Sequence, residues 1–394
     1  MKIIVIHEVS YMDKPVYEYQ DFSERLVARG HEVTVIDFCE SRQSDLTYRK
    51  VSRTGQGYVQ LISLPNNGLP ILKYLVSRFQ FPRLLKRIIG SQGADAVLLY
   101  SVFINGTGAI SVCRKLGIPV VFRVLDAYHR LRKNRFQSWL LLQGQKYIYR
   151  NANSLSVTNE QLGRYVRELV PEGKVAPVRV TDHGVDTDHF SRIEFDAGLA
   201  AKLSIAPNDF VCLFLGTTYS FSRLDIFVRY LNDIRKTIPN FKLLILGSGE
   251  LDEAIRLAAV EAEVTDYVLQ PGMISYKDLP SYMSLVKIAI CPFEINDITR
   301  DIIPIKILQY LAAELPVIAT PLPDLCCKIP YEKSGVFYSA TDEMENFVEM
   351  LVHTAASIDT DVVGSSARRY VSEHHSMDRV ISELENLLEE KWNI

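Results

Sequence analysis

The stretch DITRDIIPIKILQYLAAELPVIAT, residues 297–320, contains a polar loop, a helical pattern and a short apolar run. Proline suits the start of a helix, because the N–H group that Pro304 lacks would have no partner there. The apolar residues after it recur with helical spacing, at Ile307, Leu308, Leu311 and Ala312. Lys306 therefore stands in the first helical turn, where free N–H groups and a cation suit a bound phosphate. The run at 316–319 predicts a buried strand.

Buried strands alternate with helical patterns on both sides of this stretch. In the first half, strands are predicted at 2–7, 31–37, 59–64, 96–100, 119–124, 154–157 and 178–181. In the second half, strands are predicted at 210–215, 242–246, 267–269, 288–291 and 317–319. This alternation is typical of α/β proteins, so we expect two Rossmann-like, doubly wound domains facing a cleft. The domains are predicted at 1–183 and 184–375, followed by a last helix at 376–394.

The turn after the first predicted strand argues against one large class of α/β enzymes. A dinucleotide oxidoreductase carries G-x-G-x-x-G directly after this strand, because the glycines let the backbone approach a pyrophosphate. This chain has HEVSY at residues 7–11 instead. NAD binding is therefore not expected in the first domain.

Composition and cysteine spacing limit the class of protein further. The chain is 47% apolar and 23% charged, as globular proteins are, and no apolar run approaches the roughly 18 residues of a membrane helix. Only four apolar residues precede His7 and Glu8, so we expect no signal peptide and a cytoplasmic location. No C-x-x-C spacing occurs, and His183 and His189 lack the acidic company of a zinc site. Buried thiols in a reducing compartment are expected.

Charge is divided unevenly along the chain. Residues 1–180 hold 26 basic and 14 acidic residues, whereas the remainder holds 18 basic and 33 acidic residues. This excess of positive charge indicates that the first half binds an anionic partner. Two basic, aromatic segments suit peripheral contact with a membrane, residues 72–89 and residues 129–149 with Arg130, Arg132, Lys133, Arg135, Phe136 and Trp139. Amphipathic helices with solvated charges are the alternative, and nucleic acid is not expected because no recognition motif accompanies the charge.

Several predicted strands of the second half end in turns that suit a nucleotide. The turns are marked by Gly216, Thr217, Gly247, Gly272 and Met273. The carboxyl ends of parallel strands lie at one edge of a sheet, where open α/β sheets bind ligands. Backbone N–H groups there suit a diphosphate, and Arg223 and Lys306 would add two cations. An ordinary βα turn with a surface arginine is the alternative for Arg223.

Two segments carry a resemblance to a known family. Asp301-x7-Gln309, followed by a helix and a P-V-I-A strand, resembles the donor-sugar signature of retaining GT-B glycosyltransferases of family 4. The segment HGVDTDHF at 183–190 resembles the N-G-V-D-x-x-x-F segment of that family at the domain junction. The resemblance covers nearly the whole chain. This sequence departs from the family pattern with Gln309 in place of an acid, and with Pro304 and Glu314 in place of glycines.

The resemblance implies a GT-B architecture that moves a sugar from a nucleotide diphosphate sugar to an acceptor hydroxyl, with retained anomeric configuration. It implies that Asp301 contacts the donor sugar, and that Ile305 and Gln309 lie at the nucleotide. Lys306 and Arg223 would stabilise the leaving diphosphate. No metal or other cofactor is implied. The last helix is expected to cross back to the first domain, and the acceptor is expected to be a glycan or a lipid-linked molecule.

Asp126 is the candidate catalytic residue of the first domain. It follows the strand predicted at 119–124, and its carboxylate could orient or deprotonate an acceptor hydroxyl with help from Arg123 or His129. Capping the next helix is the alternative role for Asp126. By resemblance, Leu125 stands where many relatives have a polar residue.

The departures from the family pattern leave a second interpretation open. The chain could be a degenerate GT-B protein that binds a nucleotide sugar or a partner enzyme without turnover. A GT-B epimerase or phosphorylase is a third option, although a phosphorylase needs a pyridoxal lysine site that we cannot place in this sequence.

Overall fold

The computed structural model describes residues 1–13, 18–38, 45–64, 72–102, 105–130, 134–171 and 173–390. The chain divides into two compact units. Unit 1 comprises Met1–Asp182 together with Asp378–Ile394, and unit 2 comprises His183–Met377.

Unit 1 is built on an eight-stranded sheet. Its strands are β1 (Lys2–Ile6), β2 (Glu32–Phe38), β3 (Thr47–Val51), β4 (Val59–Leu64), β5 (Ala96–Leu99), β6 (Val120–Val124), β7 (Ser154–Val157) and β8 (Val178–Val180). Their order is β3-β4-β2-β1-β5-β6-β7-β8, and every neighbouring pair is parallel except β3 with β4. The helices are α1 (Glu18–Ala28), α2 (Leu72–Gln92), α3 (Gly106–Leu116), α4 (Arg135–Asn151) and α5 (Glu160–Leu169).

The central strands of unit 1 are largely buried, whereas its edge is exposed and charged. Four of the five residues of β1 and all residues of β5 are buried, which is typical of parallel strands with helices on both faces. The edge strand β3 reads TYRKV and is largely exposed. Exposed basic side chains on an edge strand discourage pairing with another chain. The sequence analysis missed β3 because the strand has no buried face to produce an apolar pattern.

Unit 2 is built on a six-stranded, fully parallel sheet. Its strands are β9 (Phe210–Leu215), β10 (Phe241–Leu246), β11 (Val268–Gly272), β12 (Ile288–Cys291), β13 (Val317–Ala319) and β14 (Val336–Tyr338). Their order is β11-β10-β9-β12-β13-β14. The helices are α6 (Ala197–Lys202), α7 (Leu224–Arg229), α8 (Leu231–Thr237), α9 (Asp252–Glu261), α10 (Leu279–Met283), α11 (Ile305–Ala312), α12 (Pro323–Lys328), α13 (Tyr331–Ser334), α14 (Met344–Ser357) and α15 (Thr360–His374).

The last helix, α16 (Met377–Glu389), packs in unit 1. Its Glu385 accepts a hydrogen bond from Arg29 at 2.8 Å, and its other carboxylate oxygen lies 2.6 Å from Nε2 of His31. Arg29 and His31 flank the turn between α1 and β2, so this cluster joins α16 to the sheet. Burial opposes ionisation of Glu385, but the hydrogen bonds from His31 and Arg29 lower its pKa below the usual value.

The prediction of two doubly wound α/β domains is confirmed. In each sheet the strand order reverses at one point, between β1 and β5 in unit 1 and between β9 and β12 in unit 2. Loops diverge there and leave a crevice at the carboxyl ends of the strands, which is where such sheets bind ligands. Among the described helices, none is long and apolar enough to cross a membrane.

Candidate functional site

Three glycine turns lie side by side at the carboxyl ends of β9, β10 and β11. The N–H of Gly216 donates to the carbonyl of Leu246 at 2.8 Å, and the N–H of Gly247 donates to the carbonyl of Gly272 at 2.9 Å. All three glycines have positive φ, at 119°, 143° and 86° in chain order. The structure therefore brings together the three turns that the sequence predicted for a nucleotide.

The turns pack backbone against backbone, and Gly247 shows how closely. A Cβ atom on Gly247 would lie 2.1 Å from the carbonyl oxygen of Gly216. Since φ of Gly247 is also in the region that side chains avoid, only glycine fits this position. The close approach keeps side chains out of this part of the site.

We expect Gly247→Ala to cost about 1–3 kcal/mol of stability, because the added methyl group must displace the Gly216 turn. We expect the affinity for a nucleoside diphosphate to fall at least tenfold, since the displaced Gly216 turn lies beside Lys306. Thermal unfolding and calorimetric titration with UDP, GDP and ADP would measure both effects. Gly198→Ala is the matched control, because a Cβ on Gly198 meets only Asp196 Oδ1 at 3.5 Å. Wild-type affinity in Gly247→Ala would contradict this role.

Asp252 holds two of these turns together and was missed in the sequence. Its carboxylate accepts hydrogen bonds from Ser248 Oγ, from Thr218 Oγ1 at 2.6 Å and from the N–H of Gly249 at 3.0 Å. Gln270 Nε2 donates to it at 3.1 Å. Burial opposes ionisation of Asp252, but these hydrogen bonds lower its pKa below the usual value. The carboxylate thus links the turn after β9 to the turn after β10.

Lys306 places a cation against the first of these turns. A Cβ atom on Gly216 would lie 3.2 Å from Nζ of Lys306, so the ammonium group sits next to that turn. Nζ also lies 3.8 Å from the ring centroid of Phe214 and 4.7 Å from that of Phe293. Phe214 belongs to β9 and Phe293 follows β12, so Lys306 lies where the strand order reverses.

The aromatic surroundings of Lys306 change its acidity. Desolvation by burial disfavours the ammonium form and lowers the pKa of Lys306 to about 8, while the nearby Cys291 partly opposes the shift. Among the side chains that the structure describes, no carboxylate pairs with Lys306. A bound anion would supply the missing counter-charge.

The helix that carries Lys306 has the form predicted from its sequence. It spans Ile305–Ala312, directly after Pro304, and its apolar face is buried. The N–H of Leu215 in β9 donates to the hydroxyl of Tyr310 at 2.6 Å, which ties this helix to the end of β9. Gln309 is half-buried and Ile305 lies at the surface.

The remaining predicted donor residues are distributed around this edge of unit 2. Asp301 is half-buried in the loop before α11. Met273 is 58% exposed after β11, and Thr217 is half-buried after Gly216. Arg223 has a left-handed backbone conformation, and its guanidinium donates to the carbonyl of Asp342. That hydrogen bond directs Arg223 to the loop after β14.

In unit 1, Arg123 has a structural position that differs from the prediction. Its side chain is fully buried and binds Glu18 through two hydrogen bonds, of 2.7 Å from Nε and 2.8 Å from Nη2. It also donates to Ser156 Oγ at 3.0 Å and to the carbonyl of Thr181. The expectation that Arg123 assists Asp126 is therefore wrong, because these partners occupy its donors.

Asp126 and His129 lie in the segment that follows β6, and both are half-buried. Nδ1 of His129 lies 2.8 Å from the hydroxyl of Tyr165, and the two rings stack. Desolvation lowers the pKa of His129 below its usual value, which favours the neutral imidazole. A neutral imidazole in this position can accept or pass a proton.

A cluster of ligand-type atoms lies elsewhere in unit 1, at His31, Glu385 and Glu389, within 4.8 Å of one another. Glu385 already pairs with Arg29, whose charge repels a metal cation. In unit 2, His189 donates from Nε2 to the carbonyl of Tyr276 at 2.9 Å and stacks on the Tyr276 ring. His189 therefore has a structural role at the start of unit 2.

Two family models match this chain. Residues 18–181 match the glycosyl transferase 4-like domain, and residues 209–357 match glycosyl transferases group 1. The first match lies in unit 1, and the second contains the glycine turns and Lys306.

Among curated proteins, the chain is 25% identical over 232 residues to a GDP-mannose-dependent alpha-(1-6)-phosphatidylinositol monomannoside mannosyltransferase of Mycobacterium tuberculosis. That match covers 55% of this chain and 57% of the relative, so the chain spans little more than half the length of the relative. It is also 36% identical over 56 residues, 14% of each chain, to a putative teichuronic acid biosynthesis glycosyltransferase, TuaH, of Bacillus subtilis.

Solved structures share the fold over nearly the whole chain. Sucrose-phosphate synthase from Thermosynechococcus elongatus has a TM-score of 0.76 at 17% identity, with 98% of each chain covered. HepE from Anabaena, in complex with UDP and glucose, has a TM-score of 0.74 at 13% identity, with 99% of this chain and 100% of HepE covered.

Proposed function

The chain belongs to the glycosyltransferase 4-like family of the GT-B fold, and on that premise we propose that it transfers a sugar from a nucleotide diphosphate sugar to an acceptor hydroxyl with retained anomeric configuration. In this reaction the bond between C1 of the sugar and the diphosphate oxygen breaks, and the diphosphate leaves with the electron pair. A new bond forms between C1 and the acceptor oxygen. The acceptor proton passes to a base or to the leaving diphosphate.

One observation carries the proposal, namely the position of Lys306 beside the glycine turns. A leaving diphosphate needs space to approach the chain closely and a cation whose attraction grows as negative charge develops. The N–H groups of Gly216 and Gly247 already donate to strand carbonyls, so these glycines provide close approach, and Lys306 adds the cation next to them. The rings of Phe214 and Phe293 beside Lys306 are apolar, and apolar surroundings strengthen its interaction with an anion.

The other residues receive roles that follow from their chemistry. We propose that Asp301 accepts hydrogen bonds from donor-sugar hydroxyls and that Gln309 binds the ribose, where an amide can both donate and accept. Met273 and Ile305 would contact the nucleoside through their apolar side chains. Asp126 would orient the acceptor hydroxyl or take its proton. Since no step requires a metal, we propose that transfer proceeds in the presence of EDTA.

The experiment has two parts that separate transfer from binding alone. Saturation-transfer NMR against UDP-, GDP- and ADP-sugars identifies the donor. Release of nucleoside diphosphate with acceptor glycans or lipid-linked acceptors present then measures transfer, which Asp301→Ala should abolish. Donor binding without nucleotide release under any acceptor would indicate a protein without turnover and contradict the proposal.

Donor affinity should depend on pH through Lys306. The pKa of about 8 means that Lys306 is mostly charged at pH 7 and that only about a tenth of it is charged at pH 9. Because the diphosphate binds the ammonium form, affinity is nearly full at pH 7, is about half at pH 8 and falls toward tenfold per pH unit above that. Calorimetric titrations between pH 6.5 and 9.5 measure this slope. In Lys306→Arg the slope should vanish, since guanidinium keeps its charge.

We further propose that unit 1 contacts an anionic membrane surface, where a lipid-linked acceptor would be held. Near the start of α4, Phe136 and Trp139 are 66% and 54% exposed, with ring centroids 6.1 Å apart, next to the exposed Arg135. Exposed aromatic rings beside a cation suit the lipid headgroup region. Of the basic residues predicted for this contact, Arg132 and Lys133 lie outside the described residues, as do the side chains of 72–79.

Flotation with vesicles that contain phosphatidylglycerol tests this contact. Binding should occur at low salt, weaken as salt rises, and fall in Phe136→Ala/Trp139→Ala. Tyr331→Ala is the control, because Tyr331 is 50% exposed in unit 2. Absence of binding to anionic vesicles at low salt would contradict the proposal.

A further inference from the structure

A cavity of about 700 Å³ lies in unit 1 at the amino-terminal ends of β1 and β2. This volume is within the usual range of ligand pockets, about 300–1,000 Å³. Asp126 lies after β6, at the opposite ends of the strands, so the cavity is separate from the candidate acceptor residues. Its walls come from β1, β2, β3, β4 and the last turn of α2.

The floor of the cavity is a polar row on one face of the sheet. Lys50 of β3 pairs with Gln60 of β4, which in turn pairs with Thr34 of β2. Residues that pair directly across a sheet share a face. The side chain of Gln92, the last residue of α2, donates to Thr34 Oγ1 at 3.0 Å. Since α2 ends there, Lys50 and Gln60 are left exposed.

Two tyrosines flank this row. Tyr48 is 58% exposed and Tyr58 is 63% exposed, and both line the cavity. Tyr48 pairs with Ile62, four residues along the chain from Tyr58, so their Cα positions are about 14 Å apart, from about 13 Å along the strand and about 4.8 Å between strands. Lys50 Nζ lies 6.0 Å from the ring centroid of Tyr58. Exposed aromatic rings can stack on the C–H faces of sugars, while side chains between them bind hydroxyl groups.

The charge of the cavity favours an anion. Lys2, Arg49 and Lys50 line it against one acid, Glu32. Lys2 Nζ donates to the carbonyl of Gln92 at 2.8 Å, which holds this side chain at the rim of the cavity. A ligand with carboxylate or phosphate groups would complement this excess of positive charge.

We infer that this cavity is an ancillary binding site for a short acidic oligosaccharide, separate from the site of sugar transfer. Tyr48 and Tyr58 stack on sugar rings, Gln60 binds a hydroxyl group, and Lys50 pairs with an acidic group. The choice of a glycan over other anions rests on the proposed function. Single-stranded nucleic acid also uses stacking and cations, so oligouridylate is the competing ligand in the test.

Calorimetric titration of the full chain with hyaluronan hexasaccharide, hexagalacturonate and the neutral maltohexaose tests the inference. At least one acidic hexasaccharide should bind, with affinity that falls as salt rises and at least tenfold in Tyr58→Ala or Lys50→Ala. Tyr58→Phe keeps the ring and should bind as the wild type does. Tyr331→Ala, an exposed tyrosine of unit 2, is the matched control.

Two variants, one at each site, distinguish this site from the donor site. Lys306→Ala should keep oligosaccharide affinity, and Tyr58→Ala should keep donor affinity. If neither acidic hexasaccharide binds, if maltohexaose binds equally well, or if oligouridylate binds more tightly, the inference is wrong. If the wild type binds an acidic hexasaccharide but shows neither donor binding nor sugar transfer, only the proposed function is wrong.

Discussion

Lys306→Ala is expected to lower kcat/KM for sugar transfer by about 10²–10³-fold, the cost of removing one preorganised donor to a developing anion. The ammonium group lies beside Gly216 and over Phe214, where little water can replace it. Its interaction strengthens as the diphosphate leaves, so we expect kcat to fall more than KM rises. Steady-state kinetics with the donor identified by NMR measure this change.

Two control variants test whether the effect of Lys306→Ala comes from the charge at this position. Lys236→Ala removes a lysine that is 76% exposed on α8 of the same unit, and should leave kcat/KM within twofold. Lys306→Arg keeps the charge but enlarges the head group, so partial activity is expected. Activity of Lys306→Ala within threefold of the wild type would show that the diphosphate does not depend on this cation.

Arg123→Met is expected to destabilise unit 1 by about 3–5 kcal/mol, the usual cost of leaving one member of a buried ion pair without its partner. Met fills much of the arginine volume, so the loss comes from the charge of Glu18, whose side chain is 5% exposed. Hydrogen exchange of peptides from β6 and β7 should show the loss of protection.

Glu18→Gln/Arg123→Met should recover part of this stability, because it removes the uncompensated carboxylate. Arg229→Ala breaks an ion pair with Glu261 that is more than half exposed on both sides, and should cost less than about 1 kcal/mol. Equal effects of Arg123→Met and Arg229→Ala would contradict a structural role for Arg123.

Local patterns were enough to predict the helix Ile305–Ala312 and the shared edge of the three glycine turns in unit 2. Pro304 and the apolar spacing after it predicted the helix Ile305–Ala312, which the structure confirms. The glycines at Gly216, Gly247 and Gly272 could be assigned to one edge because parallel strands all end there. These inferences succeeded because each depends on a short segment and on a general rule of sheet topology.

Contacts between distant parts of the chain could not be predicted in this way. Arg123 and Glu18 are 105 positions apart, and a basic residue near the end of an apolar strand looks like a surface residue in sequence. Asp252 looks like an ordinary acid at a helix start, because nothing local shows that Thr218 and Gln270 meet it. Such residues follow from how the elements pack, which a single sequence does not display.

The position of α16 in unit 1 makes unit 2 an insertion within unit 1. The chain leaves unit 1 after Asp182 and returns at Asp378. The segments next to these two points are hydrogen-bonded to each other. Val185 N–H donates to the carbonyl of His375 at 2.9 Å, and Met377 N–H donates to the carbonyl of Val185 at 3.0 Å. The entry and exit points of unit 2 are therefore neighbours, as in domains that tolerate grafting into a host chain. A single proteolytic cut at either crossing leaves both units covalently joined, whereas excision of unit 2 as one fragment requires two cuts.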